Sequence, residues 1–285
     1  MANTRVTNPV TGFNSATEEG LKLPSGTNAN QPTGVQGMIR NDTDETGGDS
    51  SVTAIEHHNG TTWKYFAATE SADNPNLKMN LDASNTTSYP GTGTTWLDLT
   101  SNNNNGTISG ATWNSGGYFD FDGSNDFVSM PAALTGTSPA TTTVWANFSA
   151  KTNNPYIIQV GDITGNAAQA GRAIVLLLYT SGDYIMLHTG QTGYNTGFSP
   201  NVGDWNHYAV TYTGTSIKFY VNSSLQFSTS TASINLTSIT GYIGKHVNSS
   251  TSFTGSFLNG NVSKLRLYDE ALTQLEITAL YNEGR

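Results

Sequence analysis

Residues 205–222, WNHYAVTYTGTSIKFYVN, carry the strongest regular pattern in this 285-residue chain. In the first half of the stretch, every second side chain falls on the same face, which is the period of a half-buried β-strand. After a break at Gly214, the alternation resumes with Ile217, Phe219 and Val221 on one face. Two such runs joined by a short glycine-containing turn predict an antiparallel hairpin. We interpret this hairpin as the central hairpin of a β-sandwich.

The composition favours strands and turns and argues against several functions. Only 12% of the residues are charged, 30 are Gly, and Asn, Ser and Thr occur in long runs. Such a mixture is typical of strands connected by turns. The formal net charge of −9 repels phosphate backbones and anionic lipid, so no nucleic-acid partner is expected. The chain has no Cys, which excludes disulfides and thiolate metal sites.

The sequence has no targeting or membrane-spanning pattern. Residues 1–20 lack a basic start followed by an apolar core, so no secretory signal is predicted. The longest aliphatic run, residues 173–179, is far shorter than the roughly 20 residues that cross a bilayer. We therefore expect a chain made in the cytoplasm, without membrane insertion.

Two further motifs occur in a fixed order around the hairpin. Residues 118–128, YFDFDGSNDFV, precede it, and residues 257–268, FLNGNVSKLRLY, follow it. With the hairpin, which is similar to a W-x-H-x-A-x-T-Y…G…Y-V-N signature, these segments resemble the laminin-G-like, concanavalin-A-like jelly rolls. The resemblance covers about residues 77–285. It implies an all-β fold, an antiparallel β-sandwich of the jelly-roll type.

Short strands and one helix complete the predicted domain. Several apolar runs separated by turn-rich loops indicate the remaining strands of a sandwich. They are residues 96–99, 144–148, 156–160, 173–179 and 184–188. Near the end of the chain, Thr273 and Glu276 form a capping-box pattern, and Gly284 is expected to end the helix. This helix, with Leu272, Leu275, Ala279 and Leu280 on one face, is predicted to close one end of the sandwich.

The N-terminal part has a different organisation. Residues 1–20 are a polar arm, either a mobile tail or an attachment segment that orders on docking. Residues 21–66 predict a small β-module with a hairpin around Asn59-Gly60, and residues 67–76 read as a linker to the domain at 77–285. So small a core is marginal alone, which favours self-association. The predicted oligomerisation residues are Met38, Ile39, Ile55, Trp63 and Tyr65.

The small module also carries a resemblance. Residues 23–27 LPSGT, 37–43 GMIRNDT and 59–63 NGTTW are similar to an N-terminal pattern of tailed-bacteriophage fibre and other virion surface proteins. The resemblance implies a homotrimer located on the virion surface. It also implies that the N-terminal arm attaches to other virion proteins.

Catalysis is not expected from the carboxylates. Glycoside hydrolysis requires two carboxylic acids about 5 to 10 Å apart. Asp120 and Asp122 lie two residues apart and share a face, but Phe119 and Phe121 would pack inward and leave both carboxylates at the surface. The E-x-D-x-E pattern of related hydrolases is absent from the sequence.

A calcium site is the one cofactor that the sequence suggests. Asp122, Asn125 and Asp126 offer oxygen ligands around a glycine turn, with Asp98, Asp204 or backbone carbonyls available to complete the set. The alternative is that Asp122 and Asn125 cap the turn through side-chain hydrogen bonds.

The histidines suggest no catalytic or metal centre. His57 and His58 are adjacent and would face opposite sides of a strand, so they cannot chelate one ion as a pair. His207 lies in the hairpin and is expected to be packed and hydrogen-bonded. His188 and His246 are isolated in the sequence.

Residues 189–204, TGQTGYNTGFSPNVGD, are the predicted carbohydrate-binding loop. Sugars stack on aromatic faces while amides and carboxylates bind their hydroxyls. Tyr194 and Phe198 would supply the rings, and Asn195 and Asp204 the polar contacts. The alternative is that both rings fold back onto the sandwich.

These observations favour a bacteriophage fibre or head or tail decoration protein that displays a lectin-like domain to host-surface polysaccharide. Adhesion without catalysis is the expected mechanism, amplified by several copies per particle. Two alternatives remain: a structural decoration protein that binds no sugar, and a carbohydrate-binding module of a polysaccharide-degrading system. A depolymerising tailspike is a more distant third.

Overall fold

The structure is a computed structural model that divides into two compact units, residues 1–67 and 68–285. In the larger unit it describes residues 74–134, 139–161, 173–189, 192–231, 234, 236, 241–246 and 256–285. In the smaller unit it describes the backbone of four short strands. Within these ranges, no helix has the length and apolarity needed to cross a bilayer.

The smaller unit contains a single sheet with the strand order β1-β2-β3-β4. Its strands are β1 (Ser25–Gly26), β2 (Ile39–Asp42), β3 (Ala54–His58) and β4 (Trp63–Tyr65). β3 and β4 pair antiparallel, which confirms the predicted hairpin, whereas the short parallel pairing of β1 with β2 was not anticipated. Of the predicted oligomerisation residues, Met38 lies outside the described residues, and self-association stays a prediction.

Two eight-stranded sheets form the larger unit. Sheet I has the order β18-β17-β16-β11-β20-β9-β8, with β5 also paired to β20. Its strands are β5 (Leu77–Asp82), β8 (Thr112–Asn114), β9 (Tyr118–Asp122), β11 (Ala140–Phe148), β16 (Asn206–Tyr212), β17 (Ser216–Val221), β18 (Ser224–Ser230) and β20 (Asn259–Tyr268).

Sheet II has the order β15-β14-β13-β12-β19-β10-β7-β6, and all its pairings are antiparallel. Its strands are β6 (Thr95–Trp96), β7 (Gly106–Ser109), β10 (Phe127–Met130), β12 (Tyr156–Gly161), β13 (Ala173–Tyr179), β14 (Tyr184–Thr189), β15 (Thr192–Asn195) and β19 (Gly241–Ile243). The predicted antiparallel β-sandwich is therefore confirmed.

The hairpin that dominates the sequence is present as β16 and β17 but is not at the centre of its sheet. β11 and β20, the two longest strands, occupy the centre, and β16 lies beside β11. Every residue of β16 is buried, so the strand is not half-buried as its alternation predicted. Tyr208 and Val210 face the core between the sheets, while Ala209 packs in a second cluster on the outer face.

The core between the sheets is formed by alternate residues of both. It contains the fully buried aromatic side chains Trp96, Phe119, Phe121, Phe148, Tyr208 and Phe219. Burial of an aliphatic or aromatic side chain of this size stabilises a fold by roughly 1.5 to 3 kcal/mol. The core thus takes one set of alternate side chains from each strand of sheet II, and the side chains between them face outward.

Helix α1 (Gln274–Glu283) begins and ends as predicted. Thr273 accepts a hydrogen bond from the Glu276 N–H, and the Glu276 side chain accepts one from the Thr273 N–H. The helix does not close an end of the sandwich. Ile277 and Leu280 pack on outward-facing residues of sheet I such as Ala209, so α1 covers a sheet face. An alternating strand reveals which residues face outward but not what covers them.

The four consecutive asparagines at 102–105 hold their loop in place through side-chain hydrogen bonds. Asn102 and Asn104 donate side-chain hydrogen bonds to the Lys78 carbonyl oxygen in β5, at 3.3 and 2.7 Å. Asn105 accepts one from the Asp98 N–H at 2.8 Å. The run therefore fastens its loop to the edge of sheet I.

Candidate functional site

The outer face of sheet II carries a continuous row of side chains across the sheet. The strand register places Gln159 opposite Tyr242, Tyr242 opposite Ser129, and Ser129 opposite Thr107. In the other direction the row continues from Gln159 through Val175 to His188. The row could not be predicted from the sequence, because each strand contributes only one of its residues.

Exposure changes along this row. Val175 and Gln159 are buried, His188, Tyr242 and Ser129 are half-buried, and Thr107 is exposed. We call the partly exposed portion around β19 and β10 the aromatic-polar face; it consists of Phe127, Ser129, Tyr242 and Lys245. In this accessible part of the outer surface of sheet II, rings and hydrogen-bonding groups lie side by side.

Two rings and one cation give the aromatic-polar face its geometry. The Phe127 and Tyr242 ring centroids are 6.2 Å apart with planes at 65°, an edge-to-face arrangement. The Lys245 Nζ lies 3.9 Å from the Phe127 centroid and 5.2 Å from the Tyr242 centroid. Cation–π attraction therefore holds the ammonium group against both rings.

A buried polar group lies next to this face. The His246 ring stacks on Tyr156 with centroids 4.4 Å apart. Burial lowers the pKa of His246 to about 4, and the nearby His188 contributes further in the same direction. The two histidines that are isolated in the sequence thus influence one another in the fold. At neutral pH, His246 is therefore an uncharged ring, which does not attract anions.

The Gln159 side chain completes the polar part of the row. Its Nε2 donates to the Gly161 carbonyl oxygen at 3.0 Å, which fixes the amide beside Tyr242. Rings with fixed amides and hydroxyls beside them can stack on the C–H surface of a sugar and bind its hydroxyls. The row itself contains no carboxylate, so among the described side chains of this face there is no acid–base pair for glycoside hydrolysis.

The family of the fold is shown by a match to a known domain. Residues 122–278, more than half of the chain, match a laminin G-type family described as the concanavalin A-like lectin/glucanases superfamily. The chain belongs to this superfamily. No curated protein sequence matches the chain significantly.

Solved structures similar to this concanavalin A-like domain include parts of glycosidases. Domain 4 of the arabinanase AbnA of Geobacillus stearothermophilus, in complex with arabinotriose, gives a TM-score of 0.55 at 17% identity, covering 72% of this chain and 98% of that chain. Trypanosoma rangeli sialidase in complex with sialic acid gives 0.59 at 12% identity, covering 85% and 44%.

A third similar structure is a toxin domain. The binding domain of botulinum neurotoxin serotype D gives a TM-score of 0.52 at 13% identity, covering 73% of this chain and 52% of that chain. At these identities the likeness shows the fold alone. This chain spans less than half of the sialidase chain and about half of the toxin domain.

The predicted carbohydrate-binding loop of this concanavalin A-like domain places its rings on the sandwich. The Tyr194 ring centroid lies 5.6 Å from that of Phe227 at the edge of sheet I. Phe198 is half-buried against the core, 6.3 Å from Tyr208. Both rings therefore fold back onto the sandwich, as the alternative interpretation predicted, and only part of each ring is accessible.

The polar members of that loop are exposed and bind their own loop. Asn195 Oδ1 accepts a hydrogen bond from the Gly197 N–H at 2.8 Å, and Asp204 Oδ2 accepts one from Asn201 at 2.9 Å. The loop presents these groups to solvent beside two half-buried rings. Sugar binding by the loop stays a prediction.

The predicted calcium residues form a compact turn. Asp122 Oδ1 accepts a hydrogen bond from the Ser124 N–H at 2.8 Å, and Asp126 Oδ2 accepts one from the Asp122 N–H at 3.0 Å. Asn125 donates its own N–H to Asp122 at 3.4 Å. This is the capping arrangement that the sequence left as the alternative. Calcium binding stays a prediction.

Asp126 and the other predicted acids have distinct surroundings. Burial is the main cause that raises the pKa of Asp126, partly opposed by its hydrogen bond with Asp122. Asp98 accepts hydrogen bonds from Asn80 and Thr100. Within the described ranges, no three His, Cys, Asp or Glu side chains form a cluster able to hold a metal ion.

Asp120 and His207 are placed as the alternation predicted. Asp120 is exposed on β9 while Phe119 and Phe121 are fully buried, so the carboxylate points away from the core. His207 is 2% exposed, with its ring 5.3 Å from Trp145 and 6.3 Å from Tyr281 of α1. Its Nδ1 has no hydrogen-bond partner among the described residues. The ring is therefore packed as expected, but this nitrogen is not hydrogen-bonded as we expected.

Proposed function

We propose that this protein is a non-catalytic adhesion protein whose concanavalin A-like domain binds glycans through the aromatic-polar face. One observation carries the proposal: the strand register brings Gln159, Tyr242 and Ser129 into one row beside Phe127 and Lys245. Rings with fixed polar neighbours are the composition of a sugar site. The absence of a carboxylate from the described row supports binding without hydrolysis.

Two single substitutions distinguish the face from the predicted loop. Tyr242→Ala removes a ring of the face, and Tyr194→Ala removes a ring of the loop. We expect Tyr242→Ala to weaken glycan binding roughly tenfold, as truncation of an aromatic anchor does in other interfaces, while Tyr194→Ala leaves binding unchanged. The measurement is retention of the purified full chain on an array of neutral and acidic glycans.

Melting temperatures of both variants serve as the control for folding. Loss of binding in Tyr194→Ala alone would transfer the proposal to the loop at residues 189–204. Unchanged binding in both variants would exclude both surfaces. Release of reducing ends from any bound polysaccharide would contradict adhesion without catalysis and would indicate a depolymerising enzyme.

We further propose that the chain is a bacteriophage virion protein, a fibre or decoration appendage, attached to other virion proteins through its N-terminal arm. This part rests on the resemblance of residues 23–63 to virion surface proteins and on the small size of the N-terminal unit. A sheet of four short strands with so few large apolar residues gains stability by association. The residues we assign to the association are Met38, Ile39, Ile55, Trp63 and Tyr65.

Light scattering provides the test of this assembly. We expect a trimeric mass for the full chain and a monomeric mass for a chain that begins at Ala68, where the larger unit starts. Two monomeric masses would contradict the fibre proposal and favour a solitary carbohydrate-binding module. Binding to virus particles without any glycan binding would favour a purely structural decoration protein.

Calcium is the cofactor we propose for the turn at Asp122, Asn125 and Asp126. A calcium concentration about 100 times Kd would stabilise the fold by about 2.7 kcal/mol, and the melting temperature would rise by several degrees. We expect Asp122→Asn and Asp126→Asn to remove that rise. Asp120→Asn, on the same strand but outside the turn, is the matched control and should keep it. Equal melting temperatures in calcium and in chelator would contradict the proposal.

A further inference from the structure

Lys245 differs from most cations of the domain because no described carboxylate pairs with it. Its ammonium group lies over the rings of Phe127 and Tyr242. Most other described cations lie beside acids, in the pairs Lys78–Asp269, Lys151–Asp183, Lys264–Asp82 and Arg266–Glu283. Lys245 is therefore a positive charge that the protein orients without neutralising it.

The two rings orient the ammonium group but leave its hydrogen-bonding capacity unused. A cation–π contact at a partly exposed site contributes about 0.5 to 1 kcal/mol. A hydrogen bond between a charged donor and an acceptor contributes about 1.5 to 3 kcal/mol. An ammonium group has three N–H donors, so a ligand oxygen can bind Lys245 while the rings stay in contact with it.

The positive charge of Lys245 contrasts with the net negative charge of the whole chain. With a formal net charge of −9, the chain as a whole repels anionic polymers. At physiological ionic strength, however, charges are screened beyond about 8 Å. A ligand group in contact with Lys245 lies inside that distance. An anionic group that touches Lys245 is therefore attracted locally, although the chain as a whole is acidic.

We infer that the aromatic-polar face selects an acidic saccharide, whose carboxylate or sulfate group binds Lys245 while a sugar ring contacts Tyr242. The half-buried Ser129 hydroxyl lies opposite Tyr242 in the same row and is available to the sugar hydroxyls. The inference rests on the proposed function and adds the charge of the ligand. It assigns Lys245 as the residue that determines specificity.

The test is an array that carries neutral glycans, their hexuronic-acid counterparts and their sulfated counterparts. We expect the full chain to bind an acidic glycan roughly tenfold more strongly than its neutral counterpart, since that is the effect of one charged hydrogen bond. The Lys245→Met variant should lose this preference, and Lys245→Arg should retain it. Added salt should reduce the preference in the unmutated chain.

Lys218→Met is the matched control. Lys218 lies on β17 between the inward-facing Ile217 and Phe219, so it faces outward from sheet I, on the opposite side of the sandwich. Its loss removes the same charge from the chain but not from the face. We expect this variant to keep the acidic preference in full.

The outcomes separate the inference from the proposed function. Equal binding of neutral and acidic glycans, with loss in Tyr242→Ala, would overturn the inference and keep the glycan-binding function. An acidic preference that survives in Lys245→Met would also overturn it. Binding to no glycan of any charge would overturn the function and the inference together. Selective binding of carboxylated or of sulfated glycans identifies which anionic group Lys245 accepts.

Discussion

Gly260→Ala is expected to lower the free energy of unfolding by about 3 kcal/mol, at the upper end of overpacking effects. Gly260 lies in β20 opposite Phe148 of β11, at the centre of sheet I. A methyl group at this position would overlap the Asn147 carbonyl oxygen and lie 3.0 Å from the Phe148 Cα. Both atoms belong to the backbone of β11 that pairs with β20, and Phe148 also forms a bridge with Val202 on its other side, so neither atom can shift alone.

Gly203→Ala is the control for this substitution. Gly203 has a φ of +85°, and an added Cβ there would meet no atom within 4 Å. Its replacement introduces only the strain of the left-handed conformation, about 1 to 2 kcal/mol. Urea unfolding measures the loss of stability in each variant, and so compares the effect of steric overlap with that of backbone strain. Equal losses of stability would contradict the overlap.

Acidification from pH 6.5 to 4.5 is expected to remove roughly 2 to 3 kcal/mol of stability through His207 alone. Burial is the main cause that lowers the pKa of His207 to about 3, and the positive charges of Arg266 and Lys264 add to it. Below pH 6.5 the unfolded chain binds a proton that the folded chain does not bind. Stability is therefore complete above pH 6.5 and falls as the pH decreases towards 3.

The groups around His207 explain why it cannot be charged in the folded state. Trp145 of β11 and Tyr281 of α1 contact its ring, and both cations lie on β20. The acid partners of those cations, Glu283 and Asp82, are already engaged in ion pairs. No described carboxylate is thus left to stabilise an imidazolium at this position.

Urea unfolding at a series of pH values measures the effect. His207→Gln should reduce the slope of stability against pH between 6.5 and 4.5, whatever its stability at pH 7.5. His246→Gln should reduce the slope independently, because the pKa of His246 is lowered to about 4. A slope that is the same in His207→Gln and in the unmutated chain would contradict the assignment.

Much of the fold could be predicted because its signals are local. The alternation in β16 and β17, the capping box at Thr273 and the Asn59-Gly60 hairpin each depend on residues close together in sequence. Strands such as β18 and β19 were missed since one is polar and the other has only three residues. The sheet pairing, and not the amino-acid pattern, makes these segments strands.

The candidate site was not predictable for a related reason. Gln159, Tyr242 and Ser129 become neighbours only through the pairing of β12, β19 and β10, which are distant in the sequence. The sequence indicated instead the loop with Tyr194, because its aromatic and polar residues are close together in the chain. In the structure its rings contact the sandwich, and the spacing of these residues in the sequence does not reveal that packing.

The position of β20 has a consequence for how the protein is made. This strand, which follows all its partners in the sequence, pairs with β11 on one side and with both β9 and β5 on the other. Leu81 of β5 is thus a direct partner of Leu265. During synthesis the earlier strands emerge from the ribosome long before the strand that joins them. Sheet I is therefore expected to be completed only after β20 has been synthesised, by slow folding dominated by long-range contacts.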